Sequence, residues 1–114
     1  MIRDVAFSPD RQTLAAAHPD GHVRLWSISQ GKELAAIRCP KPVFCLAFYP
    51  HGGSLVTGSD GDTLVRRWDV ASGKCTGEFQ TNADWNSVSP VAFSPGGKTL
   101  VTNGKGGSLL LLEA

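Results

Sequence analysis

A short sequence pattern returns three times along this chain of 114 residues, and it constrains the fold more than any other feature. The copies begin at Val5, Leu46 and Val91 and read VAFSPD, LAFYPH and VAFSPG, so they lie 41 and 45 residues apart. A second landmark, RLW at 24–26, returns as RRW at 66–68 and as LLL at 110–112. A third, SQGK at 29–32, returns as ASGK at 71–74. Three landmarks in the same order predict a repeat protein with a unit of roughly 40–45 residues.

Each unit has the pattern of short β-strands. Apolar runs of a few residues are separated by Gly, Pro and Asp turn signals, which is typical of antiparallel strands joined by tight turns. The pattern predicts four strands in each of the first two units and three in the last. The predicted ranges are 2–7, 13–17, 22–27 and 33–37, then 43–48, 54–58, 63–69 and 75–79, then 88–93, 99–102 and 108–112.

With these landmarks, the whole chain resembles WD40 repeats, the four-stranded blades of β-propellers. The resemblance implies an all-β fold of antiparallel four-stranded blades in an incomplete ring, with two full blades and a three-stranded partial blade. We expect one region, 1–114, with repeats at about 1–40, 41–82 and 83–114. Because a propeller takes about four to eight blades to close, two interpretations stay open. The chain is a fragment continued by further blades of a longer propeller, or a subunit that closes a ring with its own copies.

The resemblance also assigns structural roles within a blade. Only the second unit keeps the Trp-Asp pair of the family, as Trp68 and Asp69, while the first unit has Trp26 followed by serine. In the family a Ser or Thr, a turn Asp and the Trp can form a buried hydrogen-bond relay. Thr57, Trp68 and either Asp60 or Asp62 are the matching residues here, and the first unit has alanine at the hydroxyl position.

The repeat register predicts which side chains form the core. Alternation along equivalent strands predicts that six residues face inward: Val5, Phe7, Leu46, Phe48, Val91 and Phe93. Trp26 and Trp68 are expected between blades. Arg67 stands where the other units have leucine, and is either a snorkelling surface residue or one partner of a buried ion pair. One extra residue precedes Trp68, and we expect a longer turn around 59–62 or a bulge.

The function that the resemblance implies is a non-catalytic platform for protein partners, with no cofactor. In the family, partners dock on the face made by the loops that join the fourth to the first strands and the second to the third strands. The matching loop residues are Asp20, Lys41, Asp60, Asp62, Asp84, Trp85 and Lys105. Trp85 lies outside the repeat register among small polar residues, so it is either a partner contact or a residue folded back on its blade.

Composition narrows the alternatives. Eleven basic and ten acidic residues give a net charge of +1, which argues against a dedicated binder of nucleic acid or of anionic membranes. Three cysteines, an odd number, predict no closed disulfide framework and favour a reducing compartment, so we expect a cytoplasmic protein. Two alternatives to the interaction scaffold are a self-assembling structural subunit and a metal-dependent enzyme that uses His18, Asp20 and His22.

Overall fold

The computed structural model describes residues 1–59, 63–82 and 91–114. These residues form three antiparallel sheets, one for each repeat, with the strands of each sheet in chain order. Blade 1 contains β1 to β4, blade 2 contains β5 to β8, and blade 3 contains β9 to β11. The strands are β1 Asp4–Phe7, β2 Thr13–Ala17, β3 His22–Ser27, β4 Lys32–Arg38, β5 Val43–Phe48, β6 Ser54–Ser59, β7 Leu64–Asp69, β8 Cys75–Gln80, β9 Val91–Phe93, β10 Thr99–Asn103 and β11 Leu109–Glu113.

The same turn joins the first two strands of all three blades. In blade 1 the amide of Ser8 donates a hydrogen bond to the carbonyl of Thr13, at 2.8 Å. Tyr49 donates equivalently to Ser54 in blade 2, and Ser94 to Thr99 in blade 3, both at 2.9 Å. The repeated Ser/Tyr-Pro landmark therefore encodes a turn, and the all-β, antiparallel prediction from the sequence is confirmed.

The core lies between the blades, and blade 2 is buried on both faces. Its first face carries Leu46, Phe48, Leu55 and Trp68, which pack against blade 1. Its second face packs against blade 3. The blade 1 side of the first cluster comprises Ala15, Ala17, Val23, Leu25 and Ile37. The second cluster comprises Cys45, Tyr49, Val56 and Val65 from blade 2 and Val91 and Leu100 from blade 3.

The prediction that Val5 and Phe7 face the core is wrong. Their equivalents Leu46 and Phe48 are buried, but Val5 is 48% and Phe7 is 64% exposed. These side chains lie on the face of blade 1 that points away from blade 2, where no described residue covers them. Trp26 lies on the same face and is only partly buried, for the same reason, so the prediction that it packs between blades is also wrong.

The extra residue of the second repeat falls outside the paired part of β6 and β7, and residues 60–62 of the predicted longer turn lie outside the described residues. The pairing of β6 with β7 is unbroken from Ser54 and Asp69 to Gly58 and Val65, so the insertion falls between Gly58 and Val65. Bulges occur elsewhere in blade 2, between Val43 and Cys45 in β5 and next to Trp68 in β7.

Arg67 is a partly buried residue held by uncharged groups. Its Nε donates to the Oγ1 of Thr76 and its Nη2 to the carbonyl oxygen of the same residue, both at 3.0 Å. The guanidinium also lies 5.9 Å from the centre of the Phe79 ring. This environment agrees with the snorkelling interpretation rather than with a buried ion pair.

Candidate interaction face

One edge of the three blades gathers the connections between blades and the turns between second and third strands. We call it the connection edge, and define it by 18–21, 39–42, 63, 81–82 and 104–108. The opposite edge carries the turns between first and second and between third and fourth strands. Because a strand has two ends, an antiparallel blade places its turns alternately at these two edges.

The connection edge is fixed by backbone hydrogen bonds at the junction of blades 1 and 2. The amide of Cys39, just after β4, donates to the carbonyl of Gly21 in the β2–β3 turn, at 2.7 Å. Gly21 has a φ of +90°, and a Cβ added there would lie 3.2 Å from the carbonyl oxygen of Cys39. Glycine is therefore required at this position by both conformation and space.

The junction of blades 2 and 3 is tied in a similar way. Thr81, just after β8, donates from its amide and from its hydroxyl to the carbonyl of Thr63, at 3.0 and 2.6 Å. The side-chain oxygen of Asn82 accepts a hydrogen bond from the amide of Lys105, at 3.2 Å. Each connection is thus held to the turn between the second and third strands of the blade before it, and the second connection is held to the equivalent turn of blade 3 as well.

Asp20 is the centre of a charged cluster on this edge. One carboxylate oxygen accepts a hydrogen bond from the amide of His22 at 3.0 Å, and the other lies 3.2 Å from Arg24 Nη2. Arg24 also reaches Glu33 at 3.5 Å. The backbone hydrogen bond from His22 lowers the pKa of Asp20, with smaller contributions from the charge of His22 and from side-chain hydrogen bonds with His22 and Arg24. Its carboxylate is therefore occupied by an arginine rather than arranged with the histidines around a cation.

The metal-enzyme alternative receives no support from this geometry. Within 1–59, 63–82 and 91–114, no group of three His, Cys, Asp or Glu side chains is placed to hold a metal ion. His22 Nδ1 lies 3.3 Å from Asp20 Oδ1, in a contact within the turn itself. The same described ranges contain no helix that is long and apolar enough to cross a membrane.

The structure places the predicted partner-binding residues as follows. Asp20, Lys41 and Lys105 are exposed on the connection edge, at the junctions described above. Four further predicted residues lie outside the described residues: Asp60, Asp62, Asp84 and Trp85. The prediction that Trp85 contacts a partner therefore stays a prediction.

The structural residues predicted from the Trp-Asp pair lie away from the connection edge. The indole Nε1 of Trp68 donates to Thr57 Oγ1 at 3.0 Å, and Thr57 is 1% exposed, so these two form a buried hydrogen bond between the strands. Asp69 ends β7 at the opposite edge, where its carboxylate accepts the amide of Ser72 at 2.9 Å. Its role is to hold the β7–β8 turn.

The sequence analysis did not predict that Arg66 is buried, although it carries a charge in the interface between blades 1 and 2. Arg66 is 8% exposed, and its Nε donates to Glu78 at 3.2 Å. A charged residue in a strand is normally read as a surface residue. One signal was available, because Arg24 and Arg66 hold the same place in the RLW and RRW landmarks, next to the interface tryptophan.

A concave region lies on the opposite edge. It is a cleft of about 350 Å³ between the first turns of blades 1 and 2, lined in part by Asp10 and His51. Asp10 accepts hydrogen bonds there from the Ser8 hydroxyl at 2.6 Å and from the Gln12 amide at 3.0 Å. These bonds hold the carboxylate of Asp10 within its own turn.

Comparison with known proteins agrees with this architecture. Residues 1–51 match the family described as the anaphase-promoting complex subunit 4 WD40 domain. Coronin-7 of Mus musculus is 29% identical over 98% of this chain and 13% of its own length. THO complex subunit 3 of Arabidopsis thaliana is 26% identical over 98% of this chain and 36% of its own length.

Solved structures give the same result. The crystal structure of RRP9 WD40 repeats superimposes with a TM-score of 0.79 at 26% identity, over 90% of this chain and 32% of the other. This chain therefore spans about a third or less of the length of these relatives and of this solved structure. The repeated sequence landmarks, the three antiparallel sheets and these similarities together identify the chain as a member of the WD40-repeat family, with its sheets forming blades of a WD40-type β-propeller.

Proposed function

We propose that this chain is a non-catalytic protein–protein interaction scaffold whose partner binds at the connection edge. The observation that carries the proposal is the set of hydrogen bonds that hold the loops of this edge in place. Hydrogen bonds from Cys39 to Gly21 and from Thr81 to Thr63 hold each connection to a turn of the blade before it. The amide of Lys105 in blade 3 donates to the side chain of Asn82, which holds the second connection to the next blade as well. A surface that is already ordered loses less conformational entropy when a partner binds.

The chemistry of the edge suits a protein partner with charges of both signs. Exposed Lys41 and Lys105 lie at successive junctions, and the carboxylate of Asp20 lies beside the first of them. Exposed charges of this kind contribute to orientation and association rate more than to affinity. Two of the similar proteins are named as subunits of complexes, the anaphase-promoting complex and the THO complex, which supports a role in assembly.

Charge reversal on the two edges tests the proposal. Partners of the parent chain are identified by crosslinking and quantitative mass spectrometry, and one purified partner is then titrated calorimetrically. The doubly substituted Lys41→Glu, Lys105→Glu chain is expected to bind at least tenfold more weakly, because each reversal replaces a modest attraction with a like-charge repulsion. The matched control is Lys74→Glu, Lys98→Glu, which reverses two exposed lysines on the opposite edge. Equal binding by the two variants, or a larger loss in the control, would contradict the proposed face.

Metal titration distinguishes the scaffold proposal from the metal-dependent enzyme alternative. Zinc and manganese are titrated into the parent chain and into a His18→Ala, His22→Ala variant. The scaffold proposal expects no saturable binding that depends on these two histidines. A stoichiometric site that the double variant loses would revive the metal-dependent alternative, whatever the outcome of the charge-reversal experiment.

The proposed location is the cytoplasm. Its support is the odd number of cysteines, of which Cys39 and Cys45 are buried and Cys75 is exposed, with no disulfide joining any two of them. Free thiols persist in compartments that glutathione and thioredoxin keep reducing. Imaging of the tagged chain tests the location, and accumulation in an oxidising compartment would contradict it.

A further inference from the structure

The cleft at the opposite edge lies between the first turns of blades 1 and 2 and has a volume of about 350 Å³. Binding pockets for small molecules have volumes of roughly 300–1,000 Å³, so this cleft is of a size for one side chain rather than for a large ligand. Its lining includes two buried residues, Ser8 of blade 1 and Phe48 of blade 2, and the partly buried Val70. The cleft is formed entirely by residues that the structure describes.

The junction of blades 2 and 3 contains the equivalent place. Tyr49 stands where blade 1 has Ser8, and Phe93 stands where blade 2 has Phe48. The ring centres of Tyr49 and Phe93 lie 4.4 Å apart, with their planes tilted by 44°. Tyr49 is 5% exposed, so an aromatic ring from the first turn of one blade is buried against the phenylalanine of the next. Because Ser8 has no ring, blade 1 makes no such contact with Phe48 from this position.

The two blade junctions approach each other in the same way beside this place. Gly52 and Gly97 hold equivalent positions in the first turns of blades 2 and 3. A Cβ on Gly52 would lie 3.5 Å from Pro9 Cδ, and a Cβ on Gly97 would lie 2.9 Å from Pro50 Cδ. The proline of one first turn therefore packs against the glycine of the next turn at both junctions. The cleft thus reflects the small side chain of Ser8 rather than blades that stand apart.

Two exposed polar side chains, Asp10 and His51, also line the cleft. Asp10 Oδ1 accepts both hydrogen bonds within its turn, and Oδ2 accepts none from the described residues. His51 Nδ1 accepts the amide of Gly53 at 2.9 Å, so Nε2 carries the hydrogen of the neutral ring. The His51 ring is also stacked on Tyr49, with 5.3 Å between the ring centres. An acceptor and a donor at one cleft match the N–H and carbonyl groups of a peptide backbone.

We propose that this cleft binds an aromatic side chain of a partner protein, with its ring packed on Phe48 as the ring of Tyr49 packs on Phe93. Tilted and offset ring pairs with centres about 4.5–7 Å apart contribute to binding beyond the area that they bury. Asp10 and His51 bind the backbone groups that flank the aromatic residue. The cleft lies on the edge opposite the connection edge, so it is a second interaction surface and does not rest on the proposed function.

Binding of p-cresol, the side-chain analogue of tyrosine, to the full chain tests the pocket. Methyl-resolved NMR titration is expected to show saturable binding with a dissociation constant of about 1–10 mM, the order expected of so small a ligand. Nuclear Overhauser effects are expected between the p-cresol ring and the methyl groups of Val70. A titration that does not saturate, or contacts with other methyl groups but none with Val70, would overturn the proposal.

Two matched substitutions locate the site. Ser8→Tyr gives blade 1 the side chain that blade 2 has at this position, so it fills the cleft and is expected to abolish p-cresol binding. Ser94→Tyr is the control, because it makes the same change in the first turn of blade 3, which does not line the cleft. Each change removes a serine Oγ that accepts a backbone amide, from Thr13 at 3.0 Å and from Thr99 at 3.2 Å.

The control is expected to bind p-cresol as the parent does, and circular dichroism verifies that both variants fold. Undiminished binding by a folded Ser8→Tyr variant would overturn the proposal. The contacts between p-cresol and Val70 are measured in the parent chain, so they test the site even where the substitution at Ser8 disturbs its turn.

Two further ligands identify the occupant. N-acetyltyrosine N-methylamide is expected to bind more tightly than p-cresol, because its amide groups reach Asp10 and His51. Propylguanidinium, the side-chain analogue of arginine, is expected to bind more weakly than p-cresol, because its charge loses water beside Phe48 and Val70. The reverse order in either comparison would overturn the assignment to an aromatic side chain carried by a peptide.

This test and the charge-reversal test fail independently. The Lys41→Glu, Lys105→Glu chain is expected to bind p-cresol as the parent does, because neither lysine lines the cleft. Loss of p-cresol binding in that chain would contradict the placement of the site at the opposite edge.

Discussion

The buried hydrogen bond from Trp68 to Thr57 gives the sharpest prediction about stability. Trp68→Phe keeps an aromatic ring in the first core cluster but removes the indole N–H that donates to Thr57 Oγ1 at 3.0 Å. Because Thr57 is 1% exposed, water does not replace this donor. A buried polar group that loses its partner costs about 1–3 kcal/mol. The smaller ring also leaves a void, which adds about 1 kcal/mol.

Trp26→Phe is the matched control. Trp26 holds the same place in the first repeat, but it is only partly buried and Ala16 stands where blade 2 has Thr57. Its replacement is therefore expected to cost about 0.5 kcal/mol or less.

Urea denaturation followed by far-ultraviolet circular dichroism measures both variants. The expected loss in free energy of unfolding is about 2–4 kcal/mol for Trp68→Phe. A double-mutant cycle with Thr57→Val is expected to give a coupling energy of about 1 kcal/mol between the two side chains. Equal losses for Trp68→Phe and Trp26→Phe, or a coupling energy near zero, would refute the account of this interface.

Three further predictions concern acid stability, thiol reactivity and the loop tryptophan. Hydrogen bonds from the hydroxyl and amide of Ser72 hold the pKa of Asp69 below its ordinary 3.8. The stability that the ionised Asp69 provides is therefore complete above pH 3.8 and is lost as the pH falls through the lower pKa of the folded state. Urea titrations at several pH values should show a smaller acid loss for Asp69→Asn than for the parent chain. Burial raises the pKa of Cys39 to about 12, so its thiol reacts slowly with alkylating reagents. Mass spectrometry after brief alkylation should find the exposed Cys75 modified and Cys39 unmodified until urea is added. Equal labelling of the two cysteines in the folded chain would contradict this. Trp85→Ala should leave the thermal melt unchanged and weaken partner binding by about 2 kcal/mol or more, and a melt lowered as far as that of Trp68→Ala would assign it to the core instead.

The strands and their order could be predicted from the sequence because their signals are local. A turn such as that at Ser8 is encoded by a few adjacent residues, and the alternation of side chains follows from strand geometry. The equivalent turns at Tyr49 and Ser94 are therefore found at the repeated landmarks. Strand ends have weaker local signals than turns, and β1 begins at Asp4 rather than at the predicted residue 2.

Burial could not be predicted in the same way, because it depends on what packs against a face. Phe7 and Phe48 occur in nearly the same sequence, yet one is 64% exposed and the other is buried. Arg66 shows the reverse error, since a charged residue becomes buried when an adjacent blade covers it and Glu78 pairs with it. Both cases depend on neighbours that are distant in sequence.

The candidate face was predictable only in outline. Turn patterns predicted loops at Asp20, Lys41 and Lys105, and the family resemblance implied that these loops share one face; the structure places the three residues on the connection edge. The hydrogen bonds that join those loops, such as that from Cys39 to Gly21, link different strands and have no local signal. The metal-site alternative arose because residue types were visible in the sequence while the pairing of Asp20 with Arg24 was not.

Methyl-resolved nuclear Overhauser spectroscopy tests most directly the central claim that the blades stack in chain order with blade 2 buried on both faces. The account predicts cross-peaks from Leu55 to methyl groups of blade 1, among them Val23 and Leu25, and from Val65 to Leu100 of blade 3. Cross-peaks between Leu55 and Leu100, or the lack of any between Leu55 and blade 1, would contradict it.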